Sequence, residues 1–382
     1  MNTFLSLAHK AAQDEYLKFV ADNLAAMAQD LDQGRTSCKD ALALLARAGY
    51  LGINVPTSYG GRGGTLLDLT LFAEIISGYA AGLGLALASH YTVVELLLQS
   101  GTEQQKSRYL PLLAKGELLG AQAFSEVNAG SDYKAITTEV KVSGSNASIN
   151  GAKAWVVNGE IAQLLAVLAK DGTNLSLWLV DIEPGAAPAG IKVGPARSKL
   201  GMRASVVNDL TFVDHAVALD NRVGGADVKA DQVEKALLNA LDVSKTVMAG
   251  AALGLADRAL ELSAERARTH EQFGQSISKF QGIQWKLADL SMDRHAAQML
   301  TYRAAWSQAD EPEKFHQYAA MAKMFAAKVA RVHSSEAVQV FGVMGASLEE
   351  DVERLYRDAK LTELFEGTSE YQKVIIKEEL GV

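Results

Sequence analysis

The spacing of apolar residues along this chain of 382 residues changes twice, and the two changes constrain its fold more than any other feature. Up to about residue 118 the apolar residues recur at helical spacing, and from about 119 to 225 they occur in short alternating runs. From about 226 onward, long helical stripes return. Because the chain is too long for one small core, we expect an α+β protein of three domains. These are an all-helical domain at 1–118, a small antiparallel β domain at 119–225 and a four-helix bundle at 226–382.

The N-terminal region predicts several helices interrupted by a glycine-rich loop. Ser37 followed by Asp40 resembles a capping box, in which polar side chains satisfy the free N–H groups at a helix start. Glycines and a proline within 56–64 mark the loop. Two helices are expected after it, at about 68–79 and 83–99.

The central region contains β-like runs at 147–157, 164–169, 175–181 and 206–213. No segment long enough for a crossover helix lies between these runs, which favours antiparallel pairing.

The C-terminal region carries apolar stripes over 236–251, 277–308 and 312–341. Stripes of this length are typical of long helices packed as a bundle.

Composition argues against several classes of function. Apolar residues at 48% and charged residues at 21% describe a soluble globular protein, and a net charge of −8 opposes attraction to nucleic acid or an anionic membrane. With Cys38 as the only cysteine, intrachain disulfides and thiolate metal clusters are excluded, and the histidine spacing predicts no metal site. Residues 1–4 do not resemble the start of a secretory leader, and no apolar stretch looks long enough to span a bilayer. We therefore expect a cytoplasmic protein.

Glu366 lies between an apolar pair, Leu364 and Phe365, and a glycine, at the edge of the last helical segment. Burial against the apolar pair would raise the pKa of this carboxyl and make it a stronger base. Such a base could remove a weakly acidic C–H proton inside an apolar pocket. Taken alone, a solvated charge near a helix end explains the same pattern.

Three other stretches could approach a ligand. Residues 122–132 offer hydroxyls and loop amides separated by small residues, although a plain polar turn has the same composition. Residues 268–281 place a tight turn between two helices, the second starting near Ser276. Amides at such a start, with cations nearby, favour a phosphate, although an ordinary helical connection also fits. Residues 339–345 could be no more than a glycine-broken helix end.

The order of these stretches resembles the acyl-CoA dehydrogenase family over essentially the whole chain. Four motifs carry the resemblance: Ser125-Glu126 with Ala129-Gly130-Ser131-Asp132, Asn150-Gly151-Ala152-Lys153-Ala154-Trp155, Phe273-Gly274 with Gln281, and Arg357-Asp358-Ala359-Lys360 followed by Phe365-Glu366-Gly367-Thr368-Ser369-Glu370. Because four motifs occur in the order that the family shows, a chance resemblance is implausible.

The resemblance implies an FAD enzyme with the acyl-CoA dehydrogenase fold that desaturates an acyl-CoA thioester between its α and β carbons. Glu366 would remove the α-proton while the β-hydrogen leaves as hydride to flavin N5, and the backbone N–H of Glu366 would help to hold the thioester oxygen. Electrons would pass to an electron-transfer flavoprotein. A homo-oligomer, expected to be a tetramer, is also implied, because in this family part of the FAD site comes from a neighbouring subunit.

The resemblance assigns the remaining site residues in three sets. The flavin would contact Gln122, Phe124, Ser125, Ser131, Trp155 and Val157. The pyrophosphate and adenosine of FAD would contact Arg268, His270, Phe273, Gln281, Gln339, Gly342, Val343, Thr368 and Glu370. The substrate would contact Ser131, Asp242, Lys245 and Gly367.

Five positions depart from the family pattern. His270 stands where an arginine is usual, and because a histidine is charged only when protonated, phosphate binding is expected to be weaker or pH-sensitive. Lys245 replaces an arginine and cannot make the same bidentate contact. Val127 replaces a proline, Val157 a hydroxyl residue and Val343 a glycine.

Several alternative functions stay open at this point. An enoyl-thioester reductase, or a dehydrogenase of an acyl group on a carrier protein, would use the same catalytic groups, so the sequence decides neither direction nor carrier. An oxygen-using flavin monooxygenase on the same fold lacks the base, so Glu366 argues against it. The intact base also disfavours a non-catalytic binding protein. Acyl length and branching are not predicted.

Overall fold

The computed structural model describes residues 5–144, 146–182, 189–379 and 381, so the predicted absence of a leader at residues 1–4 lies outside the described residues. The N-terminal region forms helices α1 (Leu7–Asn23), α2 (Ala28–Asp32), α3 (Cys38–Arg47), α4 (Leu66–Ser100) and α5 (Glu103–Lys115). This confirms the predicted all-helical start.

Polar side chains set where these helices begin. The hydroxyl of Ser37 accepts from the backbone N–H of Asp40 at 3.1 Å, as the sequence predicted. At the start of α4, Thr65 and Asp68 satisfy each other's backbone N–H groups in a full capping box. The two helices predicted at 68–79 and 83–99 are continuous in α4, with non-helical dihedral angles at Ala80 that mark a kink between them.

The central region forms a seven-stranded sheet of β1 (Gly120–Ala123), β2 (Glu139–Ser143), β3 (Asn146–Val157), β4 (Leu164–Asp171), β5 (Asn174–Asp181), β6 (Ile191–Val193) and β7 (Val207–Ala218). The small β domain is confirmed, and the pairs β2–β3, β3–β7, β4–β5 and β6–β7 are antiparallel as predicted.

Two pairings differ from that expectation. β1 pairs with β4 in parallel along its whole length, and β2 makes one parallel pair with β4. β1 and β6 are three or four residues long and gave no recognisable alternation in the sequence. The β1–β4 pair needs no crossover helix, because the chain returns through β2 and β3 instead.

The C-terminal region forms α6 (Ala230–Thr269), the short strands β8 (Glu271–Gln272) and β9 (Gln275–Ser276), α7 (Gln281–Asp310), α8 (Phe315–Phe341), α9 (Asp351–Thr362) and α10 (Ser369–Glu379). Phe273 and Gly274 both have positive φ, at 52° and 76°, and form the predicted tight turn as a β-hairpin. The helix expected near Ser276 starts later, because 275–276 belong to that hairpin and a 3₁₀ turn at 277–279 precedes α7.

Helices α4 and α6 pack along each other through the centre of the molecule. Both are long and apolar enough to cross a bilayer by length and composition alone, so the expectation that no stretch would pass this test was wrong. The apolar windows are 94% buried in α4 and 83% buried in α6. A core helix covered by protein on every side is apolar around its circumference, and that explains the resemblance to a membrane span.

The change from helix to strand falls between Lys115 and Gly120, and the change back falls between Ala218 and Ala230. The domain limits at 118/119 and 225/226 stay predictions. The first part of α6, the segment after β1, the end of β3 and the turn between α9 and α10 meet around one cavity, which contains Glu366.

Candidate active site

The cavity has a volume of about 580 Å³ and lies between the sheet and the helical regions. Many of the residues assigned to the flavin, the substrate and catalysis line it together: Gln122, Phe124, Ser125, Ser131, Trp155, Val157, Lys245, Glu366, Gly367 and Thr368. Apolar side chains from α6 and the last turn complete the wall: Leu237, Leu238, Leu241, Leu361, Leu364 and Phe365.

Glu366 lies in a left-handed turn that the surrounding structure holds in place. Its φ is 56° and that of Gly367 is 84°. The buried ammonium of Lys323 donates to the carbonyl of Gly367 at 2.5 Å, and the amide of Gln372 donates to the carbonyls of Glu366 and Gly367 at 3.2 and 3.1 Å. Left-handed backbone is uncommon outside glycine and tends to occur at functional sites.

Desolvation inside the cavity raises the pKa of Glu366. The adjacent hydroxyl of Ser244, the hydrogen bond from Gln122 and the positive charges of Lys323 and Lys245 lower the pKa without cancelling that effect. Burial against Leu364 and Phe365 was expected to be the cause; Phe365 is partly buried in the cavity wall, but Leu364 is 49% exposed. The carboxylate is a stronger base than a solvated one because the whole cavity encloses it.

Gln122 contacts the carboxylate of Glu366 directly. Its Nε2 donates to Oε1 of Glu366 at 2.6 Å, and its own backbone N–H donates to the hydroxyl of Ser89 at 3.1 Å. The resemblance had assigned Gln122 to the flavin, so sequence reasoning missed this contact.

Lys323 is a second residue that sequence reasoning missed. Its side chain is 1% exposed on α8, and burial lowers its pKa to about 7. The signal was available in the sequence, because a lysine stands among alanines at 319, 320, 322 and 326 on the buried stripe of a helix. Lysines are rarely fully buried unless they are paired, so a lysine on a buried helical stripe merits attention.

Asp242 and Lys245, both assigned to the substrate by resemblance, line different cavities. Lys245 lines the main cavity and donates to Asp242 at 2.8 Å. Asp242 lies behind it, contacts Nδ1 of His316 at 2.8 Å and faces a smaller cavity of about 320 Å³. Asp242 therefore positions Lys245 in this structure and is not part of the main cavity wall.

The loop after β1 is attached to the sheet by a buried ion pair. Lys153 on β3 donates to Glu126 at 2.9 Å and to the carbonyl of Phe124 at 3.0 Å. Despite desolvation, hydrogen bonds from Thr138, Lys153 and the N–H of Thr137 lower the pKa of Glu126 to about 2. These contacts place the neighbouring Ser125 at the cavity.

Trp155 offers a flat aromatic surface in the wall of the cavity. Its indole is 45% exposed, lies 6.1 Å from the ring of Phe365 and has the guanidinium of Arg197 at 4.6 Å from its centroid. Val157, two residues further along β3, is buried in the same wall. Apolar surface here and hydroxyls at Ser125 and Ser131 suit the two faces and the polar edge of an isoalloxazine ring.

The set assigned to the FAD pyrophosphate and adenosine divides between two places. Thr368 lines the cavity, but the others do not: Arg268, His270, Phe273, Gln281, Gln339, Gly342, Val343 and Glu370. Within α6, Lys245 and Arg268 are separated by roughly 35 Å of continuous helix at 1.5 Å per residue. Ala267, Ile277 and Val340 pack together, so the segments around 268–281 and 339–343 meet at this distant end.

Sequence-family models of three protein domains match the chain. "Acyl-CoA dehydrogenase, N-terminal domain" matches residues 6–117, the middle domain matches 121–215 and the C-terminal domain matches 235–381.

Two curated relatives match nearly the full length. The short-chain specific acyl-CoA dehydrogenase of Clostridium acetobutylicum is 34% identical over 366 residues, covering 94% of both chains. The acryloyl-CoA reductase (NADH) of Anaerotignum propionicum is 33% identical over 369 residues, covering 95% of this chain and 92% of the relative.

Solved structures show the same fold. Butyryl-CoA dehydrogenase of Megasphaera elsdenii superposes with a TM-score of 0.92 at 30% identity and full coverage of both chains. A chain from a structure described as the electron transferring flavoprotein of Acidaminococcus fermentans has a TM-score of 0.94 at 30% identity, covering 100% and 99%. An acyl-CoA dehydrogenase of Bacillus anthracis complexed with FAD has a TM-score of 0.90 at 28% identity, covering 98% of this chain and 67% of that one.

Proposed function

This chain belongs to the acyl-CoA dehydrogenase family of FAD enzymes, and from that premise we propose that it desaturates a short acyl-CoA thioester with Glu366 as the base. The observation that carries the proposal is a desolvated carboxylate on the wall of a largely apolar cavity, held on a left-handed turn. No solvated carboxylate would have the same basicity.

In the proposed reaction Glu366 takes the α-proton. The α C–H bond breaks, the proton passes to the carboxylate, and the electron pair left behind becomes the α,β double bond as the β-hydrogen departs with its own pair. Bound FAD supplies the acceptor for that hydrogen and pair. Trp155, Val157, Phe124, Ser125 and Ser131 would position it.

The turn that carries the base would also polarise the thioester. Negative charge develops on the thioester oxygen as the α-proton leaves, and a fixed N–H donor there lowers the barrier. The backbone N–H of Glu366 would be that donor. Lys323 and Gln372 fix its direction through the carbonyls of the same turn, so little reorganisation accompanies the reaction.

The proposed substrate carries a short acyl group. Among the described residues none from α4 lines the cavity, and the polar groups of Gln122 and Lys245 form part of its wall. The relatives named for short-chain acyl-CoA and butyryl-CoA support the same choice.

The direction of the reaction is part of the proposal. We propose oxidation with an electron-transfer flavoprotein as acceptor, supported by the similarity to the chain from the Acidaminococcus fermentans structure. The second candidate is reduction of an enoyl thioester, which the similarity to acryloyl-CoA reductase (NADH) favours. Assaying the purified enzyme with a short acyl-CoA plus an electron-transfer flavoprotein, and with an enoyl-CoA plus NADH, separates the two.

Replacing Glu366 with Gln tests the base. The substitution keeps size and hydrogen bonding but removes proton acceptance, so anaerobic stopped-flow reduction of the flavin by a short acyl-CoA should slow by roughly 10²–10⁴-fold. Binding of FAD should be retained. Glu363, whose carboxylate pairs with Arg331 and Lys360 outside the cavity, provides the matched control. Near-normal reduction by Glu366→Gln together with a large loss in Glu363→Gln would contradict the assignment.

A further inference from the structure

The two carboxylate oxygens of Glu366 have different surroundings. Oε1 accepts the 2.6 Å hydrogen bond from Nε2 of Gln122, a residue 244 positions earlier in the chain. The hydroxyl of Ser244 also lies beside the carboxylate, but among the described residues it makes no geometrically complete hydrogen bond, and none to Oε2 matches the one from Gln122. The carboxylate therefore has one occupied and one available oxygen while it lines the cavity.

The backbone of Gln122 is held in a fixed place by contacts with three elements. The residue lies on β1 and pairs with Ala166 on β4. Its N–H donates to the hydroxyl of Ser89 on α4, and that hydroxyl donates in turn to the carbonyl of Val157 on β3 at 3.2 Å. A donor attached to such a framework can orient a side chain on a distant turn.

The orientation of the amide group follows from chemistry. A carboxylate only accepts hydrogen bonds, so the NH₂ of Gln122 must face it and the amide oxygen must point away. That oxygen is buried and has no partner among the described residues. Leaving a buried acceptor unpaired is unfavourable, and the hydrogen bond to a charged group offsets part of the cost.

Resting on the proposed role of Glu366 as the base, we propose that Gln122 is a positioning residue that occupies Oε1 and leaves Oε2 as the oxygen that takes the α-proton. The α C–H bond breaks, an O–H bond forms at Oε2, and the C–H electron pair stays with the substrate. Oε1 then becomes the carbonyl oxygen of the protonated acid and still accepts from Nε2. The contact survives the reaction without rearrangement, as preorganised groups in active sites do.

Proton transfer to Oε1 instead would weaken this contact. The oxygen of the new O–H group could still accept from Nε2, but it is a poorer acceptor than the carbonyl oxygen that transfer to Oε2 leaves there. Gln122 thus makes transfer to one oxygen more favourable than to the other.

Other charged groups face Glu366 from the neighbouring helices. Lys323 lies on α8, and Lys245 lies on α6 with Asp242 behind it, in contact with His316. The hydroxyl of Ser244 is also adjacent. Substitution of Gln122 leaves all of these in place, so a change in the variants reports on the amide.

The test measures flavin reduction by a short acyl-CoA in anaerobic stopped flow, from mildly acidic to alkaline pH, for wild type, Gln122→Met and Gln122→Glu. The methionine keeps the length but loses the donor, and the glutamate keeps the shape but adds a like charge. The pH at which the rate of flavin reduction is half-maximal should rise in Gln122→Met and rise further in Gln122→Glu. Losing a hydrogen-bond donor and gaining a neighbouring carboxylate both disfavour the ionised form of the base. At neutral pH the rate should fall by roughly 10- to 100-fold, as for other misplaced catalytic groups, with little change in KM.

Gln163→Met is the matched control. Gln163 also lies beside the sheet, where its side chain accepts from the N–H of Leu119 and donates to the carbonyl of Ile161, away from the cavity lining. Its pH midpoint should equal that of wild type. An unchanged rate and midpoint in Gln122→Met, or the same shift in Gln163→Met, would overturn the inference. If Glu366→Gln is inactive while Gln122→Met is normal, only the role of Gln122 fails; if no thioester reduces the wild-type flavin, the proposed function fails with it.

Discussion

At the scale of single residues, Glu366 combines a strained backbone conformation with the role proposed for its side chain as the base. A left-handed conformation outside glycine costs of order 1–3 kcal/mol and persists only where the surroundings enforce it. Here Lys323 and Gln372 enforce it through the carbonyls of the turn. Gly367 cannot be replaced easily either, because its φ is 84° and an added Cβ would fall 2.7 Å from the amide nitrogen of Gln372.

Replacing Lys323 with Met should change how stability depends on pH. Burial lowers the pKa of Lys323 from 10.5 to about 7, so between those values the unfolded chain binds the proton more tightly than the folded protein does. This group therefore makes the free energy of unfolding rise as pH increases through that window. Denaturant unfolding should show that the free energy of unfolding rises less between neutral and alkaline pH in Lys323→Met than in wild type.

Lys328→Met is the control for that measurement, because Lys328 lies on the same helix but is exposed. It should keep the wild-type dependence on pH. An identical rise in wild type and Lys323→Met would show that burial does not shift this lysine.

At the scale of elements, the close contact of α4 with α6 depends on glycines that meet backbone. A Cβ at Gly254 would lie 1.8 Å from the carbonyl oxygen of Glu74, and one at Gly250 would lie 2.7 Å from that of Thr70. Backbone cannot rotate away as a flexible side chain can. The two helices must separate to accept any larger residue.

Gly254→Ala should therefore destabilise the protein by about 1–3 kcal/mol or more, the usual cost of overpacking a core. Gly282→Ala is the matched substitution on α7, where nothing lies within 4 Å of the added Cβ. It should be neutral or stabilising, since alanine favours helix over glycine by roughly 1 kcal/mol. Chemical denaturation measures both. Equal stability of the two variants would contradict the close packing of α4 on α6.

At the scale of the whole molecule, exposed apolar side chains lie at heptad spacing along α7. Trp285 is 62% exposed, Met292 is 65% exposed and Met299 is 41% exposed. Phe273 and Val343, assigned to FAD by resemblance, are 92% and 88% exposed. Single exposed apolar residues are ordinary, but an aligned series favours burial against another chain.

We expect that substitutions which prevent the subunits from associating will also cause loss of FAD. Trp285→Glu combined with Met292→Glu should give monomers in light scattering and lower the ratio of flavin to protein. The reason is that the residues at 268–281 and 339–343 assigned to the FAD pyrophosphate and adenosine lie far from the cavity of their own chain. Leu7→Glu, at an 86% exposed position on α1, should keep the wild-type assembly and flavin content. Monomeric wild type with full FAD occupancy would contradict both expectations.

Local features were predictable from the sequence because their physics is local. Apolar spacing gave the order of helix, sheet and helix, the pair Ser37 and Asp40 gave a helix start, and Phe273-Gly274 gave a tight turn. Motif order located Glu366 and the other stretches that line the cavity. Each of these depends on residues close together in the chain or on a recognisable motif.

The tertiary structure alone decided which distant groups meet. Gln122 reaches Glu366 across 244 residues and Lys323 reaches Gly367 across 44, while β1 pairs in parallel with β4. It also placed Asp242 behind Lys245 and buried two helices that the sequence alone cannot tell from membrane spans. The physical reason is that spacing along a chain fixes periodicity and caps. Contacts between distant residues, and the pKa of the base that depends on them, follow only from how the helices and the sheet pack.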